Sequence, residues 1–384
     1  MNHLPCPWEQ ERPFIIAELG TGHEGDRVRA GELIAAAAES GADCVKFQMV
    51  YAEEILHPKT GNVALPGGDI PLFERFKALE LPPDFYAEMK EEAEKQGLFF
   101  LCTPFGPRSA RELRNLRPGA VKIASPELNY TALLETTASW ELPVFLSSGI
   151  TLLSDIEAAL AFFPRRRVCL LHCVTSYPAP PEDYNLRLLL SLSAVFGCAT
   201  GVSDHSMDAA LVPVLAAGLG AGAIEKHFCL SRRGTGLDDP IALPPEDFAL
   251  MTRRVRAAAK ARRGFFADAA PNQAAEAGLS RGIPARLLEE FYDEWGEKTV
   301  EAVLGSGVKV LAPSEKANYL STRRSIHALR DIQAGETIEK DMIGALRSEK
   351  KLKPGLPPSF ERFISGRKAR RFIPDGQGLD WDDI

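Results

Sequence analysis

The chain has 384 residues, 45 % hydrophobic and 25 % charged, with 45 Lys and Arg against 52 Asp and Glu. This is the profile of a water-soluble globular protein and excludes disordered, collagenous and coiled-coil classes. A formal net charge of −7 argues against a nucleic-acid partner, because phosphate backbones call for a basic face. Met1 to Pro13 carries Glu9, Glu11 and prolines where a secretory signal needs a continuous apolar core. From Phe14 onward, short β-branched or aromatic runs recur: Phe14 to Glu18, Cys44 to Gln48, Leu98 to Cys102, Ala120 to Ile123, Val144 to Leu146, Val168 to His172, Thr200 to Ser203 and Ala223 to His227. Between them, Val28 to Ser40, Pro83 to Gln96, Ser109 to Leu116, Leu153 to Phe163 and Leu186 to Phe196 repeat apolar residues at helical spacing. Alternation of near-continuous apolar strands with helices predicts a parallel α/β fold, and eight repeats predict a closed (β/α)8 TIM barrel. A doubly wound open sheet is the competing arrangement.

Two intervals break the rhythm. Met49 to Leu81, with Thr60-Gly61-Asn62 and Pro66-Gly67-Gly68-Asp69, is either a lid over the barrel mouth or a surface insertion. After a closing helix at Pro245 to Arg263 come a helical patch at Ala285 to Trp295 and then Gly305-Ser306-Gly307. From Thr322 the pattern changes to short strands and tight turns, as at Ser325 to Leu329 and Gln333-Ala334-Gly335-Glu336. The predicted organisation is a barrel over 1–265, a linker with extra helices over 266–320 and a small β-rich domain over 321–384. That last part carries a net charge of +3, against −10 for the rest. The apolar stretch Leu211 to Ile224 is too short and too broken by glycine to span a bilayer, so no membrane partner is expected. Seven cysteines without a CxxC predict reduced thiols and a cytoplasmic setting.

Catalytic groups of a parallel barrel lie at the carboxyl ends of its strands, and here almost every run ends in polar residues. His205 and His227 end neighbouring strands and together could face one divalent cation, leaving positions for water and substrate oxygens. Mixed nitrogen and oxygen ligation suits Mn²⁺, Co²⁺, Fe²⁺ or Zn²⁺ better than Mg²⁺. Lys46 and Lys122, with Thr103, Ser125 and Ser147 beside them, form an anion cradle suited to a phosphorylated carboxylate. Glu24, Glu127 and Asp238 are candidate acids or bases.

In order and spacing, FIIAELGTGHEG at Phe14 to Gly25, VKFQ at Val45 to Gln48, Thr103-Pro104-Phe105, KIASPELN at Lys122 to Asn129, LSSGI at Leu146 to Ile150, LLHCVTSYPAP at Leu170 to Pro180, GVSDHS at Gly201 to Ser206 and IEKHF at Ile224 to Phe228 resemble the sialic acid (N-acetylneuraminate) synthase family. Arg323 to Ile384 resembles that family's C-terminal antifreeze-like (SAF) domain. The resemblance implies a barrel that condenses phosphoenolpyruvate with the open-chain aldehyde of an N-acetylated hexosamine, giving a nine-carbon 2-keto sugar acid and phosphate. It implies a divalent metal, Mn²⁺ before Mg²⁺ or Co²⁺, held by His205 and His227. Lys46, Thr103, Lys122, Ser125 and Ser147 fall on the phosphoenolpyruvate positions. Gln48, Thr175, Tyr177, Asp238 and Arg347 fall near the sugar, and Glu127, Glu24 and Lys122 at the reacting carbons, with the protons assigned to Glu127. It implies also a homodimer in which each SAF domain covers the other subunit's barrel. Around Leu346 to Gly355 the chain departs from the family's Lys-Arg-Pro-Gly, and the departures at Gly22, Thr175 and Leu237 to Asp239 also lie on the sugar side. Competing readings are a phosphoenolpyruvate-dependent synthase of a shorter 3-deoxy sugar acid and a non-catalytic regulatory barrel.

Overall fold

The computed structural model describes residues 5–65, 68–268, 282–349 and 351–384. Met1 to Leu4, Pro66-Gly67, linker residues 269–281 and Lys350 lie outside them. All eight expected runs are strands: β1 (Phe14–Gly20), β2 (Cys44–Met49), β5 (Phe99–Pro104), β6 (Val121–Ile123), β7 (Val144–Ser147), β8 (Val168–Cys173), β9 (Ala199–Asp204) and β10 (Ala223–His227). They pair in parallel in the order β5-β2-β1-β10-β9-β8-β7-β6. The ring is nearly closed, with its seam between β5 and the three-residue β6. The open doubly wound sheet is thereby excluded.

Side chains alternate across each strand, so every second one points into the barrel. Outward residues such as Ile15, Val45, Val121 and Leu146 join the main core under the helices. Inward residues change character with height. At the amino end Phe14, Ile16, Leu101, Phe145 and Leu171 pack with Trp8 as an apolar plug. At the carboxyl end the same alternation delivers Glu18, Lys46, Thr103, Lys122, Ser147, Ser203, Glu225 and His227, all buried. The apolar stretch at Leu211 is a helix (Leu211–Leu219) buried along its whole length, packed against Pro245–Asp268 and the helices Ala285–Trp295 and Glu297–Leu304. No helix among the described residues is long and apolar enough to cross a membrane.

The interval after β2 is a lid. It contains a short helix (Ala52–Ile55), the hairpin β3 (Asn62–Leu65) and β4 (Gly68–Pro71), and the helix Leu72–Ala78. In the C-terminal domain, β11 (Arg324–Ala328) and β12 (Ile343–Arg347) pair antiparallel over a core of Ile326, Ile332, Ile338, Ile364, Ile373 and Leu379. A bridge between Leu56 and Arg347 ties lid to cap. Within this single chain the C-terminal domain lies over the mouth of the barrel. The linker runs along the mouth: Lys309 Nζ donates to Ser148 O at 3.0 Å, and Glu315 Oε1 accepts from Ile150 N at 2.6 Å and Thr175 N at 2.7 Å. These contacts lead the chain across the loops after β7 and β8 and start β11 at its own barrel's mouth.

Candidate active site

A cavity of about 570 Å³, within the usual range for a small-molecule site, lies between the carboxyl ends of the strands, the lid and the cap. Its floor is charged. Lys46 Nζ lies 3.1 Å from Glu18 Oε2 and 2.8 Å from Glu225 Oε2, and Lys122 Nζ lies 3.8 Å from Glu225 Oε1. Gln48 Nε2 donates to Glu18 Oε1 at 2.6 Å, and Ser203 Oγ to Glu225 Oε1 at 2.8 Å. The two lysines are therefore balanced by two carboxylates rather than standing alone. Burial works against the Lys46 ammonium, but Glu18 and Glu225 outweigh it and raise its pKa. Burial pushes Lys122 down to about 8, only partly offset by Glu225. Burial also opposes ionisation of Glu225, yet Lys122 and Lys46 bring it down to about 2, whereas burial raises Glu18 despite Lys46.

Around this floor, Thr103 Oγ1, Ser147 Oγ and Thr175 Oγ1 are buried with no hydrogen-bond partner among the described residues, and all three residues line the cavity. A buried hydroxyl left unpaired costs about 1–3 kcal/mol, so three in one cavity mark places for ligand oxygens. Ser125 Oγ accepts from Gly149 N at 3.0 Å. Gly149 is required for room: a Cβ there would lie 2.3 Å from Thr175 Oγ1 and 2.6 Å from Cys173 Sγ.

His205 and His227 face each other with ring centroids 5.6 Å apart, and Tyr177 stacks on His205 at 4.4 Å. His205 Nδ1 lies 2.7 Å from Val174 O, which fixes it as the protonated nitrogen, and the lone pair of Nε2, with the Tyr177 and Ser203 hydroxyls each 3.4 Å away, is the one that could be offered to a cation. Burial, with His227 adding, pulls His205 down to about 3, so it is the neutral imidazole that metal ligation requires. Asp238 Oδ2 lies 3.6 Å from His227 Nδ1. Among the described residues no cluster of three or more His, Cys, Asp and Glu is arranged to hold a metal ion. The donor set is two nitrogens with open positions, which fits a catalytic ion better than a structural one.

Gln48, Tyr177, Asp238 and Arg347 also line the cavity, together with the lid residues Val50, Ile55, Val63, Leu72 and Phe76. Two expected residues do not. Glu24 has φ 53°, and the turn after β1 carries it outward, where it pairs with Arg75 of the lid helix at 2.5 Å. The residue that β1 sends inward is Glu18. Glu127 is fully buried just behind the wall, because the 3₁₀ turn Ser125–Glu127 points its carboxylate at the cap. There Glu127 Oε1 accepts from Arg324 Nε at 3.1 Å and Arg347 Nη2 at 2.6 Å. Glu18 and Glu225 are not among the candidates drawn from the sequence, and the two-residue alternation of β1 and β10 is the signal that places both inward. Arg324 had no such signal.

Two family models match: the NeuB family over residues 33–265 and the SAF domain over residues 323–384. The chain is 33 % identical to the spore coat polysaccharide biosynthesis protein SpsE of Bacillus subtilis over 97 % of this chain and 93 % of that one. The crystal structure of SpsE superposes with a TM-score of 0.76 at 31 % identity, covering 97 % of this chain and 95 % of that one. An N,N'-diacetyllegionaminic acid synthase of Legionella pneumophila is 30 % identical over 97 % of this chain and 94 % of that one. The crystal structure of the N-acetylneuraminic acid (sialic acid) synthetase of Leptospira borgpetersenii has a TM-score of 0.60 at 28 % identity, over 75 % of this chain and 94 % of that one. With barrel and cap matched in order and the polar strand ends gathered at one mouth, this chain belongs to the NeuB family and carries a C-terminal SAF domain.

Proposed function

We propose that the protein condenses phosphoenolpyruvate with the open-chain aldehyde of an N-acetylated hexosamine, N-acetylmannosamine or a diacetamido relative, to give a nine-carbon 2-keto sugar acid and phosphate. The observation that carries this reading is the set of unpaired buried hydroxyls on Thr103, Ser147 and Thr175 beside Lys46 and Lys122. Such a floor suits an anion with many oxygens, because charge-assisted hydrogen bonds are strong in a pocket shielded from water. The enol carbon bonds to the aldehyde carbon, whose oxygen takes up a proton; water adds at the carbon bearing the phosphate and gives up a proton, and the C–O bond to phosphate breaks with its electrons leaving on phosphate. Lys46 and Lys122 balance the departing charge. Ser125 closes the cradle, and Gln48, Thr175, Tyr177, Asp238 and Arg347 border the sugar.

NeuB-family synthases depend on a metal. His205 and His227 would hold it here, Mn²⁺ before Mg²⁺ or Co²⁺, and it would supply Lewis-acid polarisation of the aldehyde oxygen. We assign a cytoplasmic setting, supported by seven buried free thiols. We also propose a homodimer in which two chains exchange the cap contacts seen within one, supported by a basic cap on an acidic barrel. The function is tested by phosphate release from phosphoenolpyruvate with Mn²⁺ and a panel of N-acetylated and diacetamido hexoses, with mass spectrometry of the product. Release is expected with at least one sugar; a folded, metal-replete sample that releases phosphate with none of them rules the reading out.

A further inference from the structure

We infer that Arg324 is a positioning residue that locks lid, barrel and cap around the sugar side of the site, an inference that rests on the condensing function proposed above. A guanidinium has five N–H donors in a rigid plane. Arg324 is buried, and its donors reach four separate parts of the chain. Nε and Nη2 lie 3.1 and 2.9 Å from Glu127 Oε1 after β6, and Nη2 donates to Phe105 O after β5 at 2.8 Å. Nη1 donates to Ala345 O of β12 at 3.1 Å and to Glu54 O in the lid helix. Its Cζ lies 5.2 Å from the Tyr130 ring centroid.

Two arginines converge on one buried carboxylate oxygen, and Arg324 is itself buried, an arrangement that stability alone does not favour. Its consequence is geometric. Because Arg324 holds Glu127 Oε1, that oxygen can hold Arg347 Nη2 at 2.6 Å, and Arg347 is the cap side chain that lines the cavity. The same guanidinium holds the lid helix, so the cap cannot seat Arg347 without also closing the lid. A lysine, with one compact ammonium, cannot reach Glu127, Phe105, Ala345 and Glu54 together.

The test compares Arg324→Lys with Arg323→Ala, which removes a different cap-to-barrel ion pair, Arg323 to Asp155 at 2.7 Å. In Arg324→Lys, sugar KM is expected to rise and kcat to fall by about tenfold or more each, while phosphoenolpyruvate affinity by calorimetry stays within about twofold. Added guanidinium is expected to restore part of kcat to Arg324→Ala. Arg323→Ala is expected to lower Tm without that kinetic pattern. Sugar kinetics of Arg324→Lys within about threefold of the parent, or a loss matched by Arg323→Ala at equal Tm, would overturn the inference. Amide hydrogen exchange in Ala52 to Ile55, faster in Arg324→Lys than in the parent and in Arg323→Ala, reads the lock without any turnover. If no sugar releases phosphate, the function falls while this measurement still decides the lock, and unchanged exchange there overturns it.

Discussion

Lys46 and Lys122 sit at one level of the barrel, yet their environments push them in opposite directions. Lys46 lies between two carboxylates and stays charged, whereas Lys122 is buried with Glu225 at 3.8 Å and titrates near 8. An anion prefers the ammonium form of Lys122. Below pH 8 that form is already present, so affinity is flat with respect to this group; above pH 8 a proton must be taken up on binding. Phosphoenolpyruvate Kd is therefore expected to rise toward about tenfold per pH unit above pH 8, and Lys122→Arg to remove the break, both read by calorimetry. A parent profile flat to pH 9.5 sinks this account. The lysines were legible as strand-end residues, but their counter-ions were not. Glu18 and Glu225 meet Lys46 because β10, β1 and β2 are neighbours, which is a property of barrel closure and not of any local stretch.

At the scale of elements, β-branched runs and helical spacing located the eight strands and most of the helices between them, because each is amphipathic or apolar with its own period. The lid was the open question. Its answer lies in tertiary contacts: Leu72 and Phe76 of the helix Leu72–Ala78 turn to the cavity, while Arg75 holds Glu24 at 2.5 Å and Thr235 O at 3.2 Å. Those two partners sit on the loops after β1 and β10, so Arg75 pins the lid across the mouth. The ion pair is about a quarter exposed on both sides, which limits it to about 1 kcal/mol. Arg75→Ala is accordingly expected to raise sugar KM by about fivefold and leave phosphoenolpyruvate Kd unchanged. An unchanged sugar KM in steady-state kinetics would mean that the lid is held by its apolar face alone.

At the scale of the molecule, charge and connectivity act together. A basic cap closes an acidic barrel through Arg324 and Arg347 on the buried Glu127 and the partly buried pair of Arg323 and Asp155, and Glu315 of the linker fixes the loops that carry Ile150 and Thr175. None of this could be read from composition beyond its sign, because each pair joins residues more than a hundred positions apart. The contacts that seat a cap on its own barrel are equally available to a second copy, since the same two surfaces meet either way. Exchange can be told from closure within one chain by mixing two inactive variants. His205→Ala spoils a barrel and Arg347→Ala spoils a cap. If caps are exchanged, a mixed dimer sets the intact barrel of the Arg347→Ala chain under the intact cap of the His205→Ala chain, and one of its two sites is whole. With half of randomly reassociated dimers mixed, about a quarter of the parent phosphate release should return. If each cap serves its own barrel, every site keeps one defect and the mixture stays as inactive as its components. Activity that returns only after the chains are unfolded and refolded together would place the exchange in assembly, before the cap docks on either barrel.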